Sequence, residues 1–150
     1  MKQKKGLIWL SALILVSSVT ISSCGNASSG EAFVNSKEGI QFSASSLQQL
    51  KEQSKKESKP IFLLAHASYC AACKEMINTV FTDKETGDLF NKHFINTQID
   101  IESEEGKKIV KDYGIEGTPT LLFLSPNGKM LKKESGFHNK EELITLTRGL

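Results

Sequence analysis

The 150-residue chain is poor in several things that would each have named a function class. Three cysteines are too few for a disulfide scaffold, and the odd count requires an explanation. Nineteen lysine and arginine residues against seventeen aspartate and glutamate leave a formal charge of +2, too small to point to nucleic acid. The histidines, His66, His93 and His138, are scattered, and no second C-x-x-C exists, so a structural zinc site has little to build on. No apolar run approaches the roughly 20 residues that a transmembrane helix needs. No internal repeat appears. What remains, at 39% hydrophobic and 24% charged residues, is the composition of a folded chain with one core.

The N-terminus is a different kind of sequence. Lys2, Lys4 and Lys5 precede the apolar stretch Leu7 to Val16, and small polar residues follow from Ser17 to Ser23. That order is a secretory signal peptide over residues 1–23. Its end, Ile21-Ser22-Ser23-Cys24, resembles a bacterial lipobox, in which the cysteine is lipidated and becomes the new N-terminus. An ordinary signal peptide with an incidental cysteine is the alternative. Lipidation of Cys24 would explain the odd cysteine, and multiple acyl chains would hold the chain on a membrane. Gly25, in place of an aspartate, follows the outer-membrane side of the Gram-negative sorting rule. Residues 24–39 read as the lipidated cysteine and a flexible tether, and residues 40–150 as the domain. Removing the three lysines of residues 1–23 leaves 16 basic against 17 acidic residues, so the mature chain is close to neutral. Trp9, the single tryptophan, leaves with the leader.

Along residues 40–150 the pattern predicts alternating strands and helices. Ile40 and Phe42 predict a short edge strand, and Ser46 with Gln49 is a capping box opening a helix. Ile61 to Ala65 is a continuous apolar run of strand length. Met76, Ile77, Val80 and Phe81 extend a helix from the cysteine pair, and Phe94 to Asp100 predicts a second central strand. Glu104 to Tyr113 is a helix closed by Gly114, and Thr120 to Leu124 a third strand. Pro126-Asn127-Gly128 turns into a partner strand. Asn139 and Glu142 cap a last helix, with Leu143, Ile144, Leu146 and Leu150 on its buried side. The order implies an α/β fold with a central mixed β-sheet and helices on both faces.

The chemistry lies in Cys70-Ala71-Ala72-Cys73, between a buried strand and a helix. At a helix N-terminus, free backbone N–H groups and the dipole favour a thiolate at Cys70. Cys73, one turn later, can attack a mixed disulfide formed there. A zinc site, a structural disulfide and two inert buried thiols are the other readings. The first two are disfavoured by ligand spacing and by the small loop closed, the third by an oxidising compartment. Glu102, Glu104 and Glu105 could form an acid pair or a cation site, but they read better as a helix N-terminus. The lysine-rich stretch around Lys55 to Lys59 reads as a solvated helix end.

Tyr69-Cys70-Ala71-Ala72-Cys73-Lys74 with Gly117-Thr118-Pro119-Thr120 resembles the thioredoxin-like superfamily. The branch it is most similar to contains the C-terminal domain of DsbD-type thiol:disulfide interchange proteins. Lys59-Pro60-Ile61-Phe62, Thr79-Val80-Phe81 and Gly136-Phe137 share that likeness, which covers about residues 40–150. The resemblance implies a thioredoxin-like fold and a cis Pro119. It also implies substrate docking on Thr118, Pro119 and Tyr69, and an envelope oxidoreductase that needs no cofactor beyond its own Cys70–Cys73 pair. The implied partners are protein thiols and disulfides of the envelope and a DsbD-like membrane electron donor. The chain would act as a monomer facing the periplasm. A trans proline that merely starts a strand is the alternative at Pro119.

Two departures stand out. Tyr69 replaces the usual tryptophan, and Leu64 stands where many members carry a buried acid. Cys73 would then lose its proton to water, to His66 or to another group. His66 reads as a solvent-edge strand residue or as a titrating group that tunes the dithiol. The Ala-Ala spacer leans toward a reductant or mid-potential exchanger. An oxidant or isomerase on the same fold, and a copper-binding envelope module using Cys70 and Cys73 as ligands, are the rivals.

Overall fold

The computed structural model describes residues 37–150, so the expected signal peptide, the expected lipidation site Cys24 and the expected tether up to residue 36 lie outside the described residues. Five helices and four strands follow in the order α1 (Leu47–Glu57), β1 (Ile61–His66), α2 (Ala71–Thr79), α3 (Lys84–His93), β2 (Ile95–Asp100), α4 (Glu104–Tyr113), β3 (Thr120–Leu124), β4 (Met130–Ser135) and α5 (Lys140–Leu146). The sheet order is β2-β1-β3-β4. β1 runs parallel to β2 and antiparallel to β3, and β3 runs antiparallel to β4, which makes the sheet mixed.

Alternation along β1 divides the core into two layers. Phe62 and Leu64 pack with Met76 and Ile77 of α2, Phe90 of α3, Leu121 and Phe123 of β3 and Leu143 of α5. Ile61, Leu63 and Ala65 face the other way, against Leu47 and Leu50 of α1 and Ile109 of α4. Helices therefore cover both faces, and the apolar run of β1 is buried along its whole length. No helix among the described residues is long and apolar enough to cross a membrane.

The caps follow the sequence closely. Ser46 and Gln49 close a capping box on α1, and Asn139 and Glu142 close one on α5. Gly114 ends α4 in the left-handed region at φ 61°. Two of the three acids near α4 serve its N-terminus: Glu104 and Glu105 occupy the first turn, Glu102 precedes the cap, and Glu105 Oε1 accepts the Leu47 N–H of α1 at 2.7 Å. One carboxylate thus joins the starts of two helices on the same layer.

Four expectations need correction. The Ile40–Phe42 edge strand shrinks to a single parallel bridge between Ser43 and Thr97. β2 is an edge strand, not a central one. The Ser43 bridge covers its outer side, where Ser43 N–H meets the Asn96 carbonyl at 2.9 Å, and its second half is only partly buried. The helix of the cysteine pair stops at Thr79, and α3 begins afresh at Asp83, whose side chain accepts the Thr86 N–H. α3 was hidden by Gly87 at its centre, a poor helix former retained because α3 packs against the backbone of Glu38 and Gly39. On α5 only Leu143 is buried, and Leu150 is exposed beyond the helix end.

Gly106 is the other glycine fixed by close approach. A methyl group there would collide with the Asp100 carbonyl oxygen and lie 2.8 Å from Ile101 Cα. Gly106→Ala is expected to destabilise the fold by about 1–3 kcal/mol, because α4 must lift from the end of β2. Urea unfolding measures this, and an unchanged midpoint would contradict the packing.

Candidate active site

The site grows out of the C-terminal end of β1. After His66 the chain turns through Ala67, Ser68 and Tyr69, and the Cys70 N–H donates to the Ala67 carbonyl at 3.1 Å. Cys70 is the N-cap of α2, with extended backbone, and its Sγ accepts the Cys73 N–H at 3.1 Å. The two sulfurs are bonded at 2.05 Å as a disulfide. Cys70 is 7% exposed and Cys73 0%, so of the pair only the first residue reaches solvent. Ala67, Cys70 and Cys73 form a small cluster, closed by Ala72 and Ile101.

This geometry has direct chemical consequences. A sulfur on the cap position receives a backbone N–H and the positive end of a helix dipole, both of which favour its anionic form. No acidic residue occupies the first turn of α2 to oppose that effect. Lys74 is exposed on the outer side of the helix.

The Thr118–Pro119 peptide bond is cis. Ala65 of β1 pairs with Thr120 of β3, so Pro119 stands at the same end of the sheet as the cysteine turn, one residue beyond that pair. The Thr120 hydroxyl donates to the Gly117 carbonyl at 2.7 Å, and the Gly136 N–H donates to the Pro119 carbonyl at 2.9 Å. Tyr69, next to Cys70, is 71% exposed. Phe137, next to Gly136, is also exposed. Tertiary structure therefore brings Tyr69, Cys70, Cys73, Thr118 and Pro119 to one end of one sheet.

Of the two readings of His66, the solvent-edge one fails. His66 is buried, not at a solvent edge, because strand alternation turns it toward α2, on the face of Phe62 and Leu64. Asp100 of β2 is its register partner. Burial holds the imidazole pKa below its ordinary 6.5, while the Asp100 carboxylate acts in the opposite direction. A histidine lowered in this way binds fewer protons in the folded than in the unfolded chain. Its contribution to stability is thus fully present above pH 6.5 and is lost as pH falls from there through the lowered folded value. The urea midpoint is expected to fall as pH drops below 6.5, and to fall less in His66→Leu. Equal slopes in both proteins would contradict this burial.

Leu64 is wholly buried in the apolar core. Asp100 and Ile101 were missed by the sequence reading, since only the parallel register sets the end of β2 beside His66 and the cysteine cluster. Among the described residues no group of three or more histidine, cysteine, aspartate or glutamate side chains could hold a metal ion.

Comparison with known proteins extends the picture. Residues 47–148 match the model of a family described as a thioredoxin-like domain. The chain is 31% identical over 98 residues to the thiol:disulfide interchange protein DsbD of Campylobacter jejuni, a stretch covering 65% of this chain and 17% of that much longer protein. Among solved structures, a protein from Bacteroides thetaiotaomicron assigned as a disulphide-isomerase is 32% identical. It superposes with a TM-score of 0.66 over 73% of this chain and 91% of that one. The oxidised C-terminal domain of DsbD from Neisseria meningitidis shares the fold, with a TM-score of 0.57 at 22% identity, over 66% of this chain and 87% of that domain. Because the family match spans more than half of the residues and the helix-capping cysteine pair lies within it, this chain belongs to the thioredoxin-like domain family.

Proposed function

We propose that the chain is a thiol:disulfide oxidoreductase of the bacterial envelope that reduces or exchanges disulfides of extracytoplasmic proteins. The observation that carries this reading is the asymmetry of the pair, one cysteine partly exposed as the cap of a helix and the other wholly buried one turn later. In the reducing direction the Cys70 thiolate attacks a substrate disulfide. A Cys70–substrate S–S bond forms, and the first substrate sulfur leaves as a thiolate that takes up a proton. Cys73 then gives up its proton and attacks Cys70 Sγ. The Cys70–Cys73 bond forms, the mixed disulfide breaks, and the substrate departs with both sulfurs reduced. Thr118 and Pro119 hold the substrate backbone, and Tyr69 offers an aromatic wall beside the dithiol.

No bound cofactor enters this cycle, but an electron donor must reduce the Cys70–Cys73 bond after each turn. The likeness to DsbD supports a membrane dithiol donor of that kind. Lipidation at Cys24 would keep the monomeric chain on the membrane, facing the periplasm. Acyl labelling that is lost in Cys24→Ala tests the anchor, and unchanged labelling removes it.

The reduction potential of the pair tests the direction of the reaction. A value near about −270 mV marks a reductant and one near about −120 mV an oxidant. Insulin-disulfide reduction by the wild-type chain tests the activity itself. No turnover, together with stoichiometric copper binding at Cys70 and Cys73, would replace the enzyme by a metal-binding module.

A further inference from the structure

The second step of that cycle needs a proton acceptor, because a wholly buried thiol is a poor nucleophile until it ionises. Burial in an apolar cluster raises a thiol's pKa, and Cys73 is 0% exposed among Ala67, Ala72 and Ile101. The topology indicates which side chain stands closest in the layer. α2 starts at the C-terminal end of β1 and runs back over it, so Met76 and Ile77 lie on the Phe62 and Leu64 face of the strand. Cys73 is on the same face of α2, one turn nearer its start. His66 is on the same face of β1, one pleat repeat beyond Leu64. Topology thus places the two residues at the same end of one layer. Ile101 ties that end together, since it packs on the cysteine cluster and its N–H donates to the His66 carbonyl at 2.9 Å.

We infer that His66 takes the proton of Cys73 when Cys73 attacks the mixed disulfide on Cys70. This deepens the proposed function and rests on it. In the step, the Cys73 proton passes to the neutral imidazole and the Cys73 thiolate displaces the substrate sulfur from Cys70. The imidazolium is stabilised by Asp100 until it releases the proton to the departing thiolate or to water. A histidine whose burial keeps it neutral near pH 7 can receive that proton. The groups around it fit this role. Asp100 stands beside it in register on β2, and α2, which begins with the cysteine pair, covers the Phe62 and Leu64 face of β1 on which it lies. Leu121 and Pro119 of the β3 side carry no charge. Lys74 and Glu75 lie on the exposed side of α2, and Glu102 accepts the Ser68 hydroxyl at 3.3 Å.

The test separates the two steps on the full chain carrying Cys24→Ser, reduced and mixed with 5,5′-dithiobis(2-nitrobenzoate). Attack by Cys70 releases one equivalent of nitrothiobenzoate, and attack by Cys73 on the resulting mixed disulfide releases a second. His66→Leu and His66→Gln are expected to leave the first release within about threefold of the parent and to slow the second by about 100-fold at pH 7. The deficit should narrow as pH rises above about 8.5, the ordinary thiol value, and vanish only at the still higher pH where a buried thiol ionises unaided. Two variants of different polarity guard against a folding defect, which circular dichroism would reveal in either. A second release that follows the parent's pH profile in the folded variants overturns the assignment to His66 alone. A parent chain that releases only one equivalent overturns the dithiol reading itself.

Discussion

Cys70→Ser is expected to reduce insulin-disulfide turnover to the uncatalysed background, a loss on the order of 10³-fold or more. The serine hydroxyl is not ionised at neutral pH, and Cys73, the other cysteine among the described residues, is 0% exposed and cannot take the place of Cys70. The position also determines the form of the loss. Cys70 caps α2 by accepting the Cys73 N–H, and serine is among the best N-cap residues. The variant should therefore remain folded, with its unfolding midpoint lowered only by loss of the disulfide. Cys73→Ser should behave differently. It keeps the capped nucleophile, so it should still attack once and then accumulate a mixed disulfide visible by mass spectrometry. Equal and complete inactivity of both variants, with no trapped species from Cys73→Ser, would reverse or remove the assigned order of attack.

Phe62→Ala is expected to cost about 3–5 kcal/mol of stability, a large part of the roughly 5–15 kcal/mol that holds a domain of this size. Phe62 is 0% exposed on the central strand. Its ring lies 4.8 Å from that of Phe90, 5.2 Å from Phe123, 6.0 Å from Phe81 and 6.4 Å from Phe42. Removing it would leave a cavity bounded by α3, β3 and the segment ahead of α1, three parts of the chain that cannot all close inward together. The loss should also reach the site, since Phe62 and Leu64 support the layer on which α2 rests. Urea unfolding of the variant checks the magnitude. A loss below about 1 kcal/mol would mean that the aromatic cluster can repack around the gap.

Much of this molecule can be read from local sequence. The capping pairs Ser46/Gln49 and Asn139/Glu142, the left-handed stop at Gly114 and the turn at Gly128 are short-range features. Their chemistry acts within four residues, and the structure forms them as written. The five-residue apolar run of β1 needed only its own composition to announce burial on both faces. α3 was not legible, because Gly87 lowers local helix propensity for the sake of packing against Glu38 and Gly39, about fifty residues earlier in the chain.

The same division runs through the site. The sequence by itself determined the pair Cys70 and Cys73, their spacing of one helical turn and their place between strand and helix, because all of this is local. Only the tertiary structure decided which sulfur is exposed, that Thr118 and Pro119 stand at the same sheet end, and that His66 is buried beside Asp100. The reason is register. A strand residue's neighbours, its burial and its pKa depend on which residues of other strands stand opposite and which helix covers the face. Both are fixed by packing across intervals of about 34 to 63 residues. The solvent-edge reading of His66 is the case in point, since strand end and solvent edge coincide in sequence but here the end of β1 is buried.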